Sequence, residues 1–416
     1  MAREHTWADV ARRTREAVAS LDALPPLTPR PRIGWVSSWN SKCGIATYSR
    51  LLTEPALASQ VTVLADRHAQ RIAEDADNVV RCWEQISPDG QGGHHEDSLD
   101  DLYAEVVTRQ LDTVIIQFNF SFFGLGPLAE LLEKLHSEDI RTLVFFHSTA
   151  DVEWGGLHKS LSQMHGALAG CTRLMVHGID DLNRLKAMGL DANATLFPHG
   201  VMASPAITAP DDPCHADLAG KRVIASYGFL LPHKGIYELI RAFAPLAEQD
   251  ASLHLLLLNA IYPAPPSEEE ARRCQQLIVR LGLESRVTLI NDFLPDPQIL
   301  GWLQAAELLV FPYQHTQESS SAAVRWGLAS GRPVACTPLG IFDDVAEAVS
   351  FLPGTTPAEL EQGIRALLDD ADHRRQVQQK AAGWLTAHDW PRLSQRLHGL
   401  LTCLAWPGNK TADPMP

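Results

Sequence analysis

Positive charge is scarce in this chain. Its 416 residues carry 35 Lys and Arg against 50 Asp and Glu, a formal net charge of −15 at pH 7. That balance excludes a nucleic acid as partner, because binding a polyanion rests on Lys and Arg at the phosphates. Cysteine pairing is absent too. The seven cysteines (43, 82, 171, 214, 274, 336 and 403) are scattered with no Cys-x-x-Cys, as expected for reduced thiols in a cytosolic protein. No apolar run reaches the length of a membrane span, and Met1–Asp22 lacks the apolar centre of a signal peptide. The expected location is therefore the cytoplasm.

Several catalytic signatures are also missing. There is no G-x-G-x-x-G and no G-x-x-x-x-G-K-[ST]; Phe123-Gly124-Leu125-Gly126 is half a pattern only. The absence of G-x-S-x-G removes the hydrolase nucleophile elbow. A metal site is not expected. Asp75/Asp77 and Asp370/Asp372 lie away from strand ends, and His94-His95-Glu96 sits in a Gly-rich loop without helical ligand spacing.

What remains is a globular composition, 45% hydrophobic and 20% charged, at a length suited to two domains. Residues 1–31 read as a helix over 5–21 followed by a Pro-rich linker. Trp7, Val10, Ala17, Val18 and Leu21 share one face, and Arg12, Arg13 and Arg15 give a basic side. Such a helix packs on its own domain or rests peripherally on the inner face of an anionic membrane. Residues 32–202 then alternate strand and helix, with apolar strand-like runs at 33–36, 61–65, 79–83, 113–119, 142–146, 173–177 and 194–197. A Pro- and Asp-rich linker, 203–221, interrupts the rhythm. It restarts over 222–391 with strands at 223–227, 254–259, 287–291, 308–311 and 334–337, and 392–416 forms a closing helix and tail. Repeated βα units imply parallel, doubly wound sheets, so the predicted architecture is α/β: two Rossmann-like domains facing a cleft.

The most informative stretch is Gln317–Pro338. After the strand-like run Leu308–Phe311 come Glu318 and the helix-starting serines Ser319, Ser320 and Ser321, a helix from Ala322 to Ala329, and Gly331. A strand-to-helix junction of this kind presents free N–H groups and partial positive charge to a phosphate. A second junction, Tyr227–Gly235, ends a strand at Gly228 and carries Lys234 and Gly235 into a helix. Lys is a compact point charge suited to a diphosphate, although a solvated loop lysine reads the same way. Gly44, between a strand and a helix, lets a ligand approach backbone. Gln117, Asn119 and Phe120 interleave amides with aromatic faces, which suits a sugar or a hydrophobic corner under the cleft floor. His147 directly follows an apolar run, where a histidine is either structural or part of a site.

Together these residues resemble the family-4 retaining glycosyltransferases. In that family a Glu opens the C-terminal motif and a Gly-x-Pro-Val closes it, and Glu318, Gly331, Pro333 and Val334 stand at that spacing. The second Glu expected eight residues on, which holds the nucleotide ribose, is Trp326 here. Lys234-Gly235 resembles the end of the family's Gly-Arg…Lys-Gly phosphate loop; its Arg is Phe229 here, and Arg325 is the candidate replacement. Cys43-Gly44-Ile45 is similar to its N-terminal glycine loop, His147 to its donor-facing histidine, and His199-Gly200-Val201 to its turn lining the cleft near the hinge. The Gln117–Gly124 run is similar to a stretch on the acceptor side.

The resemblance implies a GT-B fold and metal-independent, retaining transfer of a hexose without a further cofactor. The donor would be a nucleotide sugar of GDP-mannose or UDP-hexose type, and the acceptor a sugar or glycoconjugate, as in surface polysaccharide or natural-product glycan assembly. Lys234 and the helix start at Ser319–Ser321 would hold the diphosphate, with Gly228 and Gly235 shaping the loop. Glu318 would orient the donor sugar, and His147 and Gly44 would complete the pocket. A nucleotide-sugar epimerase, or a non-catalytic nucleotide-sugar-binding subunit, is the alternative; Phe229 and Trp326 in place of polar residues point to the latter.

Overall fold

Runs apolar at every position become strands covered on both faces, and such strands pair in parallel beneath helices. The computed structural model describes residues 30–67, 71–88, 94–154, 157–202, 218–316, 318 and 320–405, with Ala11 and Arg15. Most of the expected helix over 5–21 and of the linker 203–221 lies outside them. In the first domain β1 (Ile33–Ser37), β2 (Val61–Asp66), β3 (Val79–Trp83), β4 (Thr113–Phe118), β5 (Arg141–Phe146), β6 (Arg173–Val176) and β7 (Ala194–Leu196) form one sheet. Their order is β7-β6-β5-β4-β1-β2-β3, every neighbour parallel. In the second domain β8 (Arg222–Phe229), β9 (Leu253–Ala260), β10 (Val287–Ile290), β11 (Leu308–Phe311), β12 (Val334–Cys336) and β13 (Ser350–Phe351) follow the order β10-β9-β8-β11-β12-β13, again parallel. The expected strands are all found, their ends shifted by no more than a residue or two.

Strand order reverses between β4 and β1 above and between β8 and β11 below. A crevice opens at such a reversal, outside the carboxyl ends of the strands, because the two connecting chains leave to opposite faces. Both reversals carry residues singled out by the sequence: Gly44 and Gln117 above, Lys234 and Glu318 below.

The last helix, α12 (Trp390–Ala405), departs from the linear division of the chain. Trp390, Leu393, Leu397 and Leu401 bury themselves against Ile33, Trp35 and Leu52 of the first domain. Residues 392–405 therefore belong to the core of the domain in which the described chain begins. Two chain crossings lie side by side at this hinge: Val201 N–H donates to His388 O at 3.0 Å, and Trp390 N–H donates to Val201 O at 3.2 Å. The Trp390 ring lies so close to Gly200 that a Cβ there would stand 2.3 Å from it. Short hairpins at Val152–Trp154/Leu157–Lys159 and Ser87–Pro88/His94–His95 complete the fold. No helix among the described residues is long and apolar enough to cross a membrane.

Since Trp390 is buried in the first domain's core, Trp390→Ala should destabilise that domain by about 3–5 kcal/mol. Differential scanning calorimetry would register it as an early-melting first transition; a melting profile equal to the parent's would show that α12 is dispensable.

Candidate active site

The lower reversal is held by backbone approach. After β8 the chain makes a single 3-10 turn, Pro232–Lys234, and Gly235 then adopts a left-handed φ of +71°. A Cβ at 235 would sit 1.9 Å from the carbonyl oxygen of Pro312, which follows β11. Only glycine permits both the dihedral and the approach. Gln314 reinforces the junction, its N–H donating to His233 O at 2.9 Å and its side-chain amide to Pro312 O at 2.9 Å and Thr355 O at 3.0 Å. α6 (Ile236–Gln249) begins immediately after the glycine.

This turn drives Lys234 into the protein, where it is 8% exposed. Its ammonium lies 4.1 Å from the Tyr313 ring centre and donates to Glu318 Oε2 at 2.8 Å. Burial pulls the lysine pKa down, but Tyr313 and Glu318 outweigh it and hold the group above its ordinary value. It stays a cation. Glu318 is half exposed, with its other oxygen 3.9 Å from His233 Nε2. The arrangement is thus a fixed buried cation whose counter-ion faces solvent. Gly228, at φ +137°, passes over Ala323 at the start of α9 (Ala322–Ala329).

The serines take different parts. Ser321, 1% exposed, caps α9: its Oγ accepts from Val324 N–H at 3.2 Å and lies 3.0 Å from Tyr313 Oη. Its hydroxyl is committed to the fold, so a donor contact at this position would fall to the backbone of the helix start. Ser320 is half-buried, and Ser319 lies outside the described residues. Arg325 also departs from expectation. It is 3% exposed, donates through Nη1 to Ser321 O at 2.8 Å and pairs through Nη2 with Asp344. Its charge is felt by Tyr48, His177 and His199 of the first domain. Its side chain folds back along α9 toward the hinge, so it does not replace the missing phosphate-loop arginine. Phe229 stands edge-on to Tyr262 at 5.2 Å and stacks on Phe293 at 6.2 Å, while Trp326 meets Tyr227 edge-on at 6.1 Å.

Above, Gly44 opens α1 (Gly44–Thr53), and a Cβ there would meet nothing within 4 Å. The protein's own packing does not demand this glycine; it leaves open space before a helix N-terminus. His147 follows β5, its Nε2 is 2.9 Å from Gln117 Oε1, and its ring stands edge-on to Tyr48 at 5.0 Å. Tyr48 is ringed further by His177 at 5.3 Å, His199 at 5.0 Å and Trp390 at 5.2 Å. His177 Nδ1 bonds Phe197 O at 2.9 Å and His199 Nδ1 bonds Gly200 O at 2.8 Å. His199 thus lies in the hinge, as its place in the sequence suggested. Burial lowers the pKa of all three histidines, helped by Arg325 at His177 and His199 and by neighbouring histidines at His147 and His199. They are neutral at pH 7. Tyr48 and His177 escaped the sequence reading, although each had a signal: Tyr48 is one helical turn beyond Gly44, and His177 follows β6 as His147 follows β5.

The expected acceptor side is largely a packed corner. Gln117 is fully buried, and Phe120 is buried edge-on to Phe118 at 5.1 Å with its carbonyl 3.2 Å from Lys159 Nζ. Asn119 closes its own turn, Oδ1 accepting from Ser121 N–H at 3.0 Å and Oγ at 2.8 Å. Of the two readings, the hydrophobic corner is the one these contacts support, and Gln117 and Phe120 do not face an acceptor. Among the described residues no group of three or more His, Cys, Asp or Glu could hold a metal ion.

The neutral histidines make folding pH-dependent. With folded pKa values below the unfolded value of about 6.5, they bind fewer protons in the native state, and stability is lost as pH falls below that value. Each contributes a slope of up to about 1.4 kcal/mol per pH unit there. Urea titrations between pH 7 and pH 5 should show this steepening, and His177→Phe should lessen it by up to one proton. An unchanged slope would place His177 elsewhere than in a neutral, buried setting.

Comparison with known proteins agrees with this geometry. The family model described as glycosyl transferases group 1 matches residues 215–384. The D-inositol 3-phosphate glycosyltransferase of Corynebacterium efficiens is 29% identical over 191 residues, which cover 45% of this chain and 43% of that protein. The match thus spans less than half the length of that curated relative. Among solved structures, Anabaena Alr3699/HepE in complex with UDP superposes with a TM-score of 0.68 at 16% identity, covering 90% of this chain and 100% of the other. The sucrose-phosphate synthase of Thermosynechococcus elongatus gives 0.69 at 18% identity, covering 89% and 98%. The second domain thus matches the group 1 glycosyl transferases over residues 215–384, and the two parallel-sheet domains together have the GT-B fold of these solved structures.

Proposed function

We propose that the protein transfers a hexose from a nucleoside-diphosphate sugar to a sugar or glycoconjugate acceptor, with retention of anomeric configuration and without a metal. The observation that carries the proposal is the Lys234–Glu318 pair, 2.8 Å apart at the lower reversal. The donor's diphosphate displaces Glu318 as the partner of Lys234, and the α9 N-terminus adds its partial charge. The released carboxylate accepts hydrogen bonds from hydroxyls of the donor sugar. As the C1–O bond to the diphosphate breaks and C1 becomes oxocarbenium-like, the ammonium stabilises the negative charge growing on the leaving oxygen. The acceptor hydroxyl adds to C1 from the face the diphosphate leaves, and its proton passes to the departing phosphate. No dedicated base is required. Closure of the two domains keeps water from taking the acceptor's place.

Similar proteins bear on the substrates. Solved neighbours hold UDP, or UDP and glucose, and curated relatives bear the name D-inositol 3-phosphate glycosyltransferase. These support a nucleotide-sugar donor and a sugar-like acceptor; of the two donor types proposed, UDP-hexose and GDP-mannose, the neighbours speak for the first. Free thiols among the described residues fit a cytoplasmic site of action. A second reading, a non-catalytic nucleotide-sugar-binding subunit, draws on the apolar packing of Phe229 and on Arg325 being turned to Asp344.

Thermal-shift screening against UDP- and GDP-sugars should identify the donor, since a ligand at ~100 times its Kd adds about 2.7 kcal/mol. With that donor, Lys234→Ala should lower kcat/KM by about 10²–10³, the scale of losing one preorganised charge-stabilising group. Glu318→Gln should cut turnover while leaving the fold intact; the amide oxygen can still accept from the buried Lys234, so the melting temperature should fall by no more than about a few degrees. Donor binding without turnover across a panel of acceptors would favour the second reading. A Lys234→Ala enzyme within a few-fold of the parent would remove the ammonium from the chemistry.

A further inference from the structure

We propose that Gln117 is a positioning residue: its buried carbonyl fixes the ring tautomer of His147, so that Nε2 carries the proton and Nδ1 is left as a hydrogen-bond acceptor. The inference rests on the glycosyl-transfer reading only for what the acceptor nitrogen is used for, namely a hydroxyl of the donor sugar. The geometry itself does not depend on that reading.

Gln117 lies near the end of β4, opposite Phe145 of β5, and His147 emerges two residues beyond on the same face of the sheet. The strand pairing continues past the end of β5, with His147 N–H donating to Phe118 O at 3.2 Å. This fixes the backbone on both sides of the side-chain contact. Gln117 is 0% exposed, whereas His147 keeps part of its surface open. On the proposed reading, a ligand in the cleft would meet the imidazole and not the fully buried amide.

A neutral imidazole has one N–H and one lone pair, and whichever nitrogen is engaged dictates the role of the other. Here Nε2 lies 2.9 Å from Gln117 Oε1, an acceptor, so it bears the hydrogen. Tyr48 stands edge-on to the ring at 5.0 Å and His177 lies at 5.3 Å. These neighbours hinder the ring turn that would exchange its two nitrogens. The Gln117 amide nitrogen has no partner among the described residues, so the contact described for this amide is that of its carbonyl with the histidine. The reading explains why a fully buried glutamine stands at a strand end beside the cleft. It acts through His147 and touches no substrate.

The test is long-range ¹⁵N–¹H correlation on histidine-labelled full-length protein without ligand, with His147 assigned by its loss in His147→Asn. The parent should show a pyrrole-like Nε2 and a pyridine-like Nδ1. Gln117→Leu should convert this to a mixture of tautomers, and Gln117→Glu should protonate both nitrogens near pH 7, because a carboxylate beside the ring favours imidazolium. In turnover assays Gln117→Leu should cost about tenfold in kcat/KM, the worth of roughly one hydrogen bond. A protonated Nδ1 in the parent, or a tautomer indifferent to both substitutions, would overturn the proposal. Should Gln117→Leu fail to fold, the Gln117→Glu spectrum decides alone. Because the spectra require no substrate, they separate this inference from the proposed reaction: an inactive parent with the expected tautomer would count against the reaction only.

Discussion

The site depends on a side chain that is not there. The Pro312 carbonyl occupies the space where residue 235 would carry a Cβ, so the loops after β8 and β11 touch backbone to backbone. From that contact follows the burial of the preceding residue, Lys234, over the face of Tyr313 and its reach to Glu318. A cation taken from water is costly unless it is paired, and the Glu318 carboxylate together with the Tyr313 ring offsets that cost. The pairing is asymmetric, since the lysine is buried and the glutamate half exposed. In the proposed reaction an incoming anion would take the carboxylate's place without the ammonium moving, which is the preorganisation that charge-stabilising catalysis requires.

Much of this was legible in the sequence because parallel strands buried on both faces leave unbroken apolar runs, such as Leu308–Phe311 and Val114–Ile116. Lys234 and Glu318 were legible for a related reason: each stands where such a run gives way to glycine or serine before a helix. Other features are set by partners distant in sequence, and no local pattern announces them. Arg325 could point toward the cleft or the hinge, and Asp344, nineteen residues on, decides. Gln117 and Phe120 have the composition of a sugar site, yet their contacts with His147, Phe118 and Lys159 turn them inward. The heptad-like apolar face of α12 shows that it packs, but not that it returns to the first domain, because amphipathicity does not name its partner.

Two kinds of contact join the domains. At the hinge, Arg325 and Asp344 face Tyr48, His177 and His199, and the positive field of Arg325 favours the neutral form of the imidazoles. Uncharged rings can pack on Trp390 and on one another, as the 5.4–5.5 Å spacings of His199 with Trp390 and His177 show. Were they charged, the same spacings would place like charges together with Arg325 in a low-dielectric interior. The role of Arg325 at the hinge thus accounts for its absence from the phosphate side. Away from the hinge, Lys42 of the first domain lies 5.4 Å over the ring of Phe293 in the second. That contact is open to solvent and weak, of order 0.5–1 kcal/mol, whereas the hinge contacts are backbone-bonded and buried. The cleft is therefore anchored at one end and lightly fastened at the other.

Under the proposed function, this disposition bears on how an acidic protein would take an anionic ligand. The net charge of −15 repels a diphosphate at a distance, but at physiological salt that repulsion fades over about 8 Å. Within that range the ammonium of Lys234 acts through a medium less polarisable than water, where one charge counts for several in solvent. Its field is strongest where the exposed Glu318 carboxylate already sits, so the ligand competes with one carboxylate rather than with the whole surface. On the proposed function, specificity for an anion at this point would come from displacing that single counter-ion, and the rest of the acidic surface would serve solubility without weakening the site.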